Sequence, residues 1–112
     1  MKTAIVILNW NGEKLLEQFL PSIVNFSANE AVIYVADNAS TDASIAFVKD
    51  FFPAVNIVEN VLNGGYAKGY NNALQSIEAD IYCLINSDVA VTKNWLPPIL
   101  EVFKKEKNTA II

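Results

Sequence analysis

The stretch "IYCLINSDVAV", Ile81–Val91, starts as a strand and then does what a strand avoids. Ile81-Tyr82-Cys83-Leu84-Ile85 is a short apolar run of the kind found in buried parallel strands. Asn86-Ser87-Asp88 then sets an amide, a hydroxyl and a carboxylate together, and Val89, Ala90 and Val91 turn apolar again. A turn accounts for the polarity. It does not account for an acid between two apolar runs, so the reason lies in where the fold carries this segment.

Outward from it, the chain alternates strand and helix. Residues 3–9 (TAIVILN) form a β-branched run that Asn9-Trp10-Asn11-Gly12 breaks. From Glu13, the residues Leu15, Leu16, Phe19, Leu20, Ile23 and Val24 recur at helical spacing, with Pro21 predicted to kink or split the helix. Residues 31–36 (AVIYVA) are the second strand, followed by the cap-type residues of DNASTDA and a helix over 44–52 with Ile45, Val48 and Phe52 on one face. Pro53 closes that helix, and 55–60 (VNIVEN) alternates as a third strand. Two glycines then open a helix in NGGYAKGYNNALQSI, with Tyr66, Tyr70, Leu74 and Ile77 predicted to face inward. Residues 80–85 are the fourth strand. Trp95, Leu96, Ile99 and Phe103 mark a last helix, in which Pro97 and Pro98 fit only the first turn. TAII at 109–112 begins a fifth strand. The pattern predicts an α/β chain: a Rossmann-like, mostly parallel sheet with helices on both faces, one domain over 1–112.

Composition narrows the chemistry. At 112 residues the chain can bury roughly two-thirds of its unfolded surface. Its 53% hydrophobic and 18% charged residues exclude a disordered chain. No apolar run exceeds about six residues, against the roughly 20 that cross a bilayer, and Met1–Leu8 is too short for a signal peptide. The expectation is a soluble, cytoplasmic chain. The single cysteine, Cys83, sits mid-strand in the position of an inert buried thiol. With no histidine, Ser-His-Asp and Cys-His catalysis and the usual zinc sites fall away together. A net charge of −4 argues against a nucleic-acid surface, and the densest basic run, at 104–107, suits a helix C-terminus.

The polar clusters all follow strands: NWNG the first, DNASTD the second, NVLNGG the third and NSD the fourth. Parallel sheets bind ligands at those carboxyl ends, where the strand order reverses. If strands 2 and 4 flank strand 1, Asp37 and Asp88 stand about 10 Å apart, given a strand spacing of about 4.8 Å. That suits a ligand with a nucleoside at one end and a diphosphate at the other. Asp37 can accept from ribose hydroxyls or a base N–H; alternatively it caps the next helix, as Asp42 is expected to do. Gly64 and Gly65 allow close backbone approach before a helix N-terminus, which serves an anion or a plain turn equally. Neither GxGxxG nor GxxxxGK[ST] is present. Lys68 either meets a phosphate or lies solvated on its helix.

Asp88 now has a purpose. An acidic chain that holds a diphosphate needs a cation, and magnesium or manganese takes one or two carboxylates, with phosphate oxygens and water completing the shell. Asn86 adds a neutral oxygen or orients the ligand. The competing account is a type I turn capped by Asp or Ser.

In this order and spacing, AIVILNWNG, YVADNASTDAS, NGGYAKGYNNAL and CLINSDV resemble the family 2 glycosyltransferases of GT-A fold, most closely the bacterial rhamnosyltransferase-like branch. The resemblance covers essentially the whole chain. It implies nucleotide-sugar binding by Asn9, Asn11, Asp37, Gly65, Lys68, Asn71, Asn86 and Asp88. Asp37 would meet the base, Gly65 and Asn71 would line the nucleotide pocket, and Asp88, the last acid of a D-x-D motif, would hold the divalent metal (Mg or Mn) and the diphosphate. The first D-x-D acid is Asn86 here, a familiar variant in that branch. The implied reaction is inverting transfer of a sugar from a UDP- or dTDP-sugar to a saccharide or lipid-linked acceptor. Family catalytic domains are longer, and no acid here matches their general base. The chain is therefore expected to be the nucleotide-diphosphate-sugar-binding half, inactive alone. The missing parts would carry the acceptor site and any peripheral contact with the inner face of the membrane. Uncovered apolar surface would favour self-association.

Two other classes fit less well. A nucleotidyltransferase wants a basic, glycine-rich loop after strand 1, and NWNG has no cation before Lys14. A receiver-like signalling module wants acids where Asn9 and Asn11 stand. A non-catalytic nucleotide-binding fragment remains the alternative for the chain itself.

Overall fold

The computed structural model describes residues 2–105, so the strand start expected at 109–112 lies outside the described residues. Four strands and four helices alternate: β1 (Thr3–Asn9), α1 (Glu13–Ser27), β2 (Val32–Asn38), α2 (Ser44–Phe51), β3 (Asn56–Asn60), α3 (Tyr66–Leu74), β4 (Ile81–Asn86) and α4 (Leu96–Lys105). The strands form one sheet in the order β3-β2-β1-β4, and every pairing is parallel. The chain builds outward from β1 through β2 to β3 and then returns to β1's other side with β4. The order of strands thus reverses between β1 and β4, and β2 and β4 flank β1.

Side-chain alternation divides the core in two. Ile5, Ile7, Ile33, Val35 and Ile85 face Leu16, Leu20 and Ile23 of α1, Val48 of α2 and Leu96 of α4. Ala4, Val6 and Ala36 face the opposite way, onto Tyr70, Ala73 and Ile77 at α3. Helices therefore cover both faces, three on one side and α3 alone on the other. Small Ala4 and Ala36 let α3 lie close to the sheet.

Pro21 neither ends nor splits α1, which runs unbroken to Ser27. Pro97 and Pro98 sit in the first turn of α4, where their missing N–H groups have no helical partner to lose. Lys104 and Lys105 close that helix, as suits its dipole. Trp95 Nε1 donates to the buried Ser27 Oγ at 2.8 Å and fixes the entry to α4 against α1. Most element ends agree with expectation to within a single residue, and two differ by more. α3 ends at Leu74 in a turn that still buries Ile77, and β2 continues through Asp37 and Asn38 instead of stopping at Ala36. Tyr66, predicted inward, is 62% exposed. The second difference decides the site.

Candidate nucleotide-sugar site

Because side chains alternate along a strand, Leu8 of β1, Asn38 of β2 and Asn86 of β4 all point to the α3 side. Leu8 stands opposite Asn86 in the parallel register. Together with Trp10, Leu15, Asn63, Gly65, Tyr66, Ser87 and Asp88 they line a cleft of about 460 Å³ at the carboxyl ends of β1 and β4. This is where the strand order reverses. Its lining combines apolar Leu8, Leu15 and the exposed ring of Trp10 with three amides, two hydroxyls and one carboxylate.

Below the cleft, the loops after β1 and β2 are locked together. Asn9 Nδ2 donates to Asp37 Oδ1 at 2.9 Å, and Asp37 Oδ2 accepts the Ser40 N–H at 2.9 Å. Asn9 and Asp37 are each only 1% exposed. Asn11 Oδ1 accepts the Thr41 and Asp42 N–H groups, and the Asn11 N–H donates to Ser40 Oγ. Asn11 and Ala39 take positive φ, 49° and 62°, so the network over-determines two strained backbone positions beside the cleft. Asp42 accepts from Glu13 N at the start of α1 and from Ser44 N and the Ser44 hydroxyl at the start of α2. Burial pushes its carboxyl up, but these hydrogen bonds outweigh it and hold Asp42 below the ordinary value of 3.8.

The glycine segment closes the other side. Asn38 Nδ2 donates to Asn63 Oδ1 at 2.8 Å and to the Gly65 carbonyl at 3.3 Å, while Asn60 Nδ2 donates to Asn38 Oδ1 at 3.2 Å. Gly65 has φ +98° and ψ −179°, a conformation essentially reserved for glycine. At Gly69 a Cβ would meet Leu8 Cδ1 at 2.9 Å and Asn38 Nδ2 at 3.1 Å, so only glycine lets α3 approach this closely.

Two tyrosines of α3, edge to face at 5.0 Å, reach the end of β4. The Tyr70 hydroxyl donates to the Ile85 carbonyl at 2.9 Å and accepts the Leu8 N–H at 3.3 Å. Burial is the main cause that pushes its ionisation above the ordinary tyrosine value, so it stays a neutral donor. The Tyr66 hydroxyl donates to Asn86 Oδ1.

Of the residues singled out from sequence, Gly65, Asn86 and Asp88 line the cleft. Asn11 lines an adjoining hollow with Trp10, Glu13, Lys14 and Asp42. Asn9 and Asp37 are buried and absent from the cleft lining, with both Asp37 oxygens engaged by their own chain. Lys68 and Asn71 are exposed on α3 and absent from the cleft wall, the Lys68 stem lying over Gly64. Sequence reasoning missed Asn38, Asn63, Trp10 and Tyr66. Strand parity carried to Asn38 would have found the first of these.

The donor set suits a hard divalent ion held by one carboxylate. Among the described residues no group of three or more acidic, cysteine or histidine side chains gathers for a metal, and Asp88 is the one acid on the cleft wall. Magnesium or manganese accepts that arrangement when phosphate oxygens and water supply the rest.

The sequence matches Glycosyl transferase family 2 over residues 4–112. The chain belongs to that family. It is similar to an uncharacterized glycosyltransferase of Haemophilus influenzae, at 19% identity over 91% of this chain and 32% of that protein. Its fold is that of S. aureus TarS (residues 1–349), solved in complex with UDP-GlcNAc, with a TM-score of 0.82 and 23% identity over 96% of this chain and 32% of the other. The mannosyltransferase PcManGT from Pyrobaculum calidifontis, in complex with GDP-Man and Mn2+, superposes with a TM-score of 0.70 and 23% identity over 80% of this chain and 28% of the other. The family 2 chain described here thus spans about a third of the length of these relatives.

Proposed function

We propose that residues 1–112 form the nucleotide-diphosphate-sugar-binding half of an inverting glycosyltransferase that uses a UDP- or dTDP-sugar and a saccharide or lipid-linked acceptor. The observation that carries this is the cleft itself, where Asn38, Asn63, Gly65, Asn86 and Asp88 meet beside an exposed tryptophan at the reversal of strand order. TarS with UDP-GlcNAc and PcManGT with GDP-Man supply the ligand class by analogy of fold. The Asn-for-Asp exchange at Asn86 favours the rhamnosyltransferase-like branch, working at the cytoplasmic face of the membrane.

The residues divide the work by their chemistry. Trp10 offers a flat aromatic face for a base. The amides of Asn63 and Asn86 offer donors to sugar hydroxyls or phosphate oxygens. Asp88 holds the divalent metal, which when bound neutralises charge on the departing diphosphate as a Lewis acid. Asn9, Asp37 and Ser40 act indirectly by tying the loop that carries Trp10 to the end of β2, where Asn38 stands. Among the described residues Asp88 is the one carboxylate on the cleft wall, and with that acid given to the metal our reading assigns this segment donor binding and leaves the acceptor's base to other residues.

Trp10 gives a direct test. Titration of UDP, dTDP and GDP should quench Trp10 fluorescence saturably in a Trp95→Phe background, with the pyrimidine nucleotides ahead of GDP. Absence of any saturable quench, in a chain that remains folded by circular dichroism, contradicts the proposal.

A further inference from the structure

The two exposed amides on the cleft wall are oriented by the same device. Asn63 Oδ1 is taken twice by the chain, by Asn38 Nδ2 at 2.8 Å and by the Gly65 N–H at 2.9 Å. Asn86 Oδ1 is taken by the Tyr66 hydroxyl. An amide is planar, with acceptor and donor on opposite sides of one carbon, so engaging each oxygen leaves the NH2 as the free end. Among the described residues neither NH2 makes a hydrogen bond within the chain, and both side chains line the cleft. Among the described residues no lysine or arginine lines the cleft.

We infer that Tyr66 is a positioning residue that fixes Asn86 as a hydrogen-bond donor to an anionic ligand oxygen, not as a metal ligand. Asn63, held by Asn38 and the Gly65 N–H, presents its NH2 in the same way. The metal then has Asp88 as its single side-chain ligand here, and the chain meets diphosphate with two oriented NH2 groups in place of basic side chains. The inference rests on the nucleotide-sugar reading of this cleft. It goes beyond that reading by assigning opposite roles to Asn86 and Asp88 within one turn and by giving an exposed tyrosine a purpose.

The test separates donor from ligand by two titrations: UDP in EDTA, which reads the amides, and Mn2+ alone, which reads the metal site. Tyr66→Phe frees the Asn86 amide to rotate. UDP affinity in EDTA should fall about fivefold, the worth of roughly one hydrogen bond, while Mn2+ affinity holds or rises. Asn86→Asp should bind Mn2+ at least threefold more tightly and metal-free UDP about tenfold more weakly. A purely structural tyrosine would weaken both titrations together or neither. UDP affinity in EDTA unchanged within twofold in Tyr66→Phe overturns the inference, as does weaker Mn2+ binding by Asn86→Asp. If the unaltered chain ignores UDP in every buffer, the nucleotide-sugar reading fails instead. The side-chain amide spectrum then decides: the Asn86 NH2 pair, assigned by its loss in Asn86→Asp, must shift in Tyr66→Phe, and a pair that stays in place refutes the role of Tyr66.

Discussion

Asp37 and Asn38 are neighbours with opposite fates, because a strand turns successive side chains to opposite faces. An acid directly after an apolar run reads as a ligand contact or a helix cap, and which side it faces depends on where β2 ends. The strand continues, so Asp37 turns to the side of α1 and α2 and is spent on Asn9 and Ser40, while Asn38 turns to α3 and the cleft. Asp42, by contrast, was legible as a cap, and it serves two helices at once. Its carboxyl is held below the ordinary 3.8, so it contributes stability above that value and loses it as pH falls through the lowered one. Asp42→Asn should therefore be less stable than the unaltered chain near neutrality, with the gap closing on acidification below 3.8. Paired urea titrations across that range measure it; a gap independent of pH contradicts the assignment.

At the scale of elements, the strand-helix alternation was readable throughout, since the strands are short β-branched or apolar runs bounded by Asn, Asp, Gly and Pro while the longer helices repeat their apolar residues at a period of 3.6. Helix ends and inward faces were less so. Tyr66 fits the apolar stripe of α3 by spacing, yet it stands in the first turn, beyond the edge of the sheet, and faces solvent and Asn86. What sets α3 in place is a contact that spacing does not reveal: Gly69 against Leu8 and Asn38. Gly69→Ala must move one of them by a few tenths of an ångström. We expect a loss of about 1–3 kcal/mol in stability from the crowding, together with weaker UDP binding, because Leu8 and Asn38 both line the cleft and whichever gives way disturbs it. Chemical denaturation and calorimetry on the same variant check both. A stability change below about 0.5 kcal/mol would show that α3 has room to spare.

For the molecule as a whole, four parallel strands with one reversal of order dictate where a ligand can sit, and the sequence already placed every polar cluster at that end of the sheet. Membership of family 2 agrees with that placement. The cleft's own composition was not legible, because Leu8 on β1, Trp10 and Asn63 in two loops and Tyr66 at the start of α3 are brought together only by the folded chain. The central claim is that Asp88 joins this cleft to a nucleotide diphosphate through a divalent metal. The most direct measurement is calorimetric titration of UDP, with and without Mn2+, into the unaltered chain and Asp88→Ala. The account predicts that Mn2+ tightens UDP binding at least tenfold in the unaltered chain and that Asp88→Ala loses this gain while keeping its fold. Equal Mn2+ dependence in the two chains, or no UDP binding by the folded unaltered chain, would contradict it.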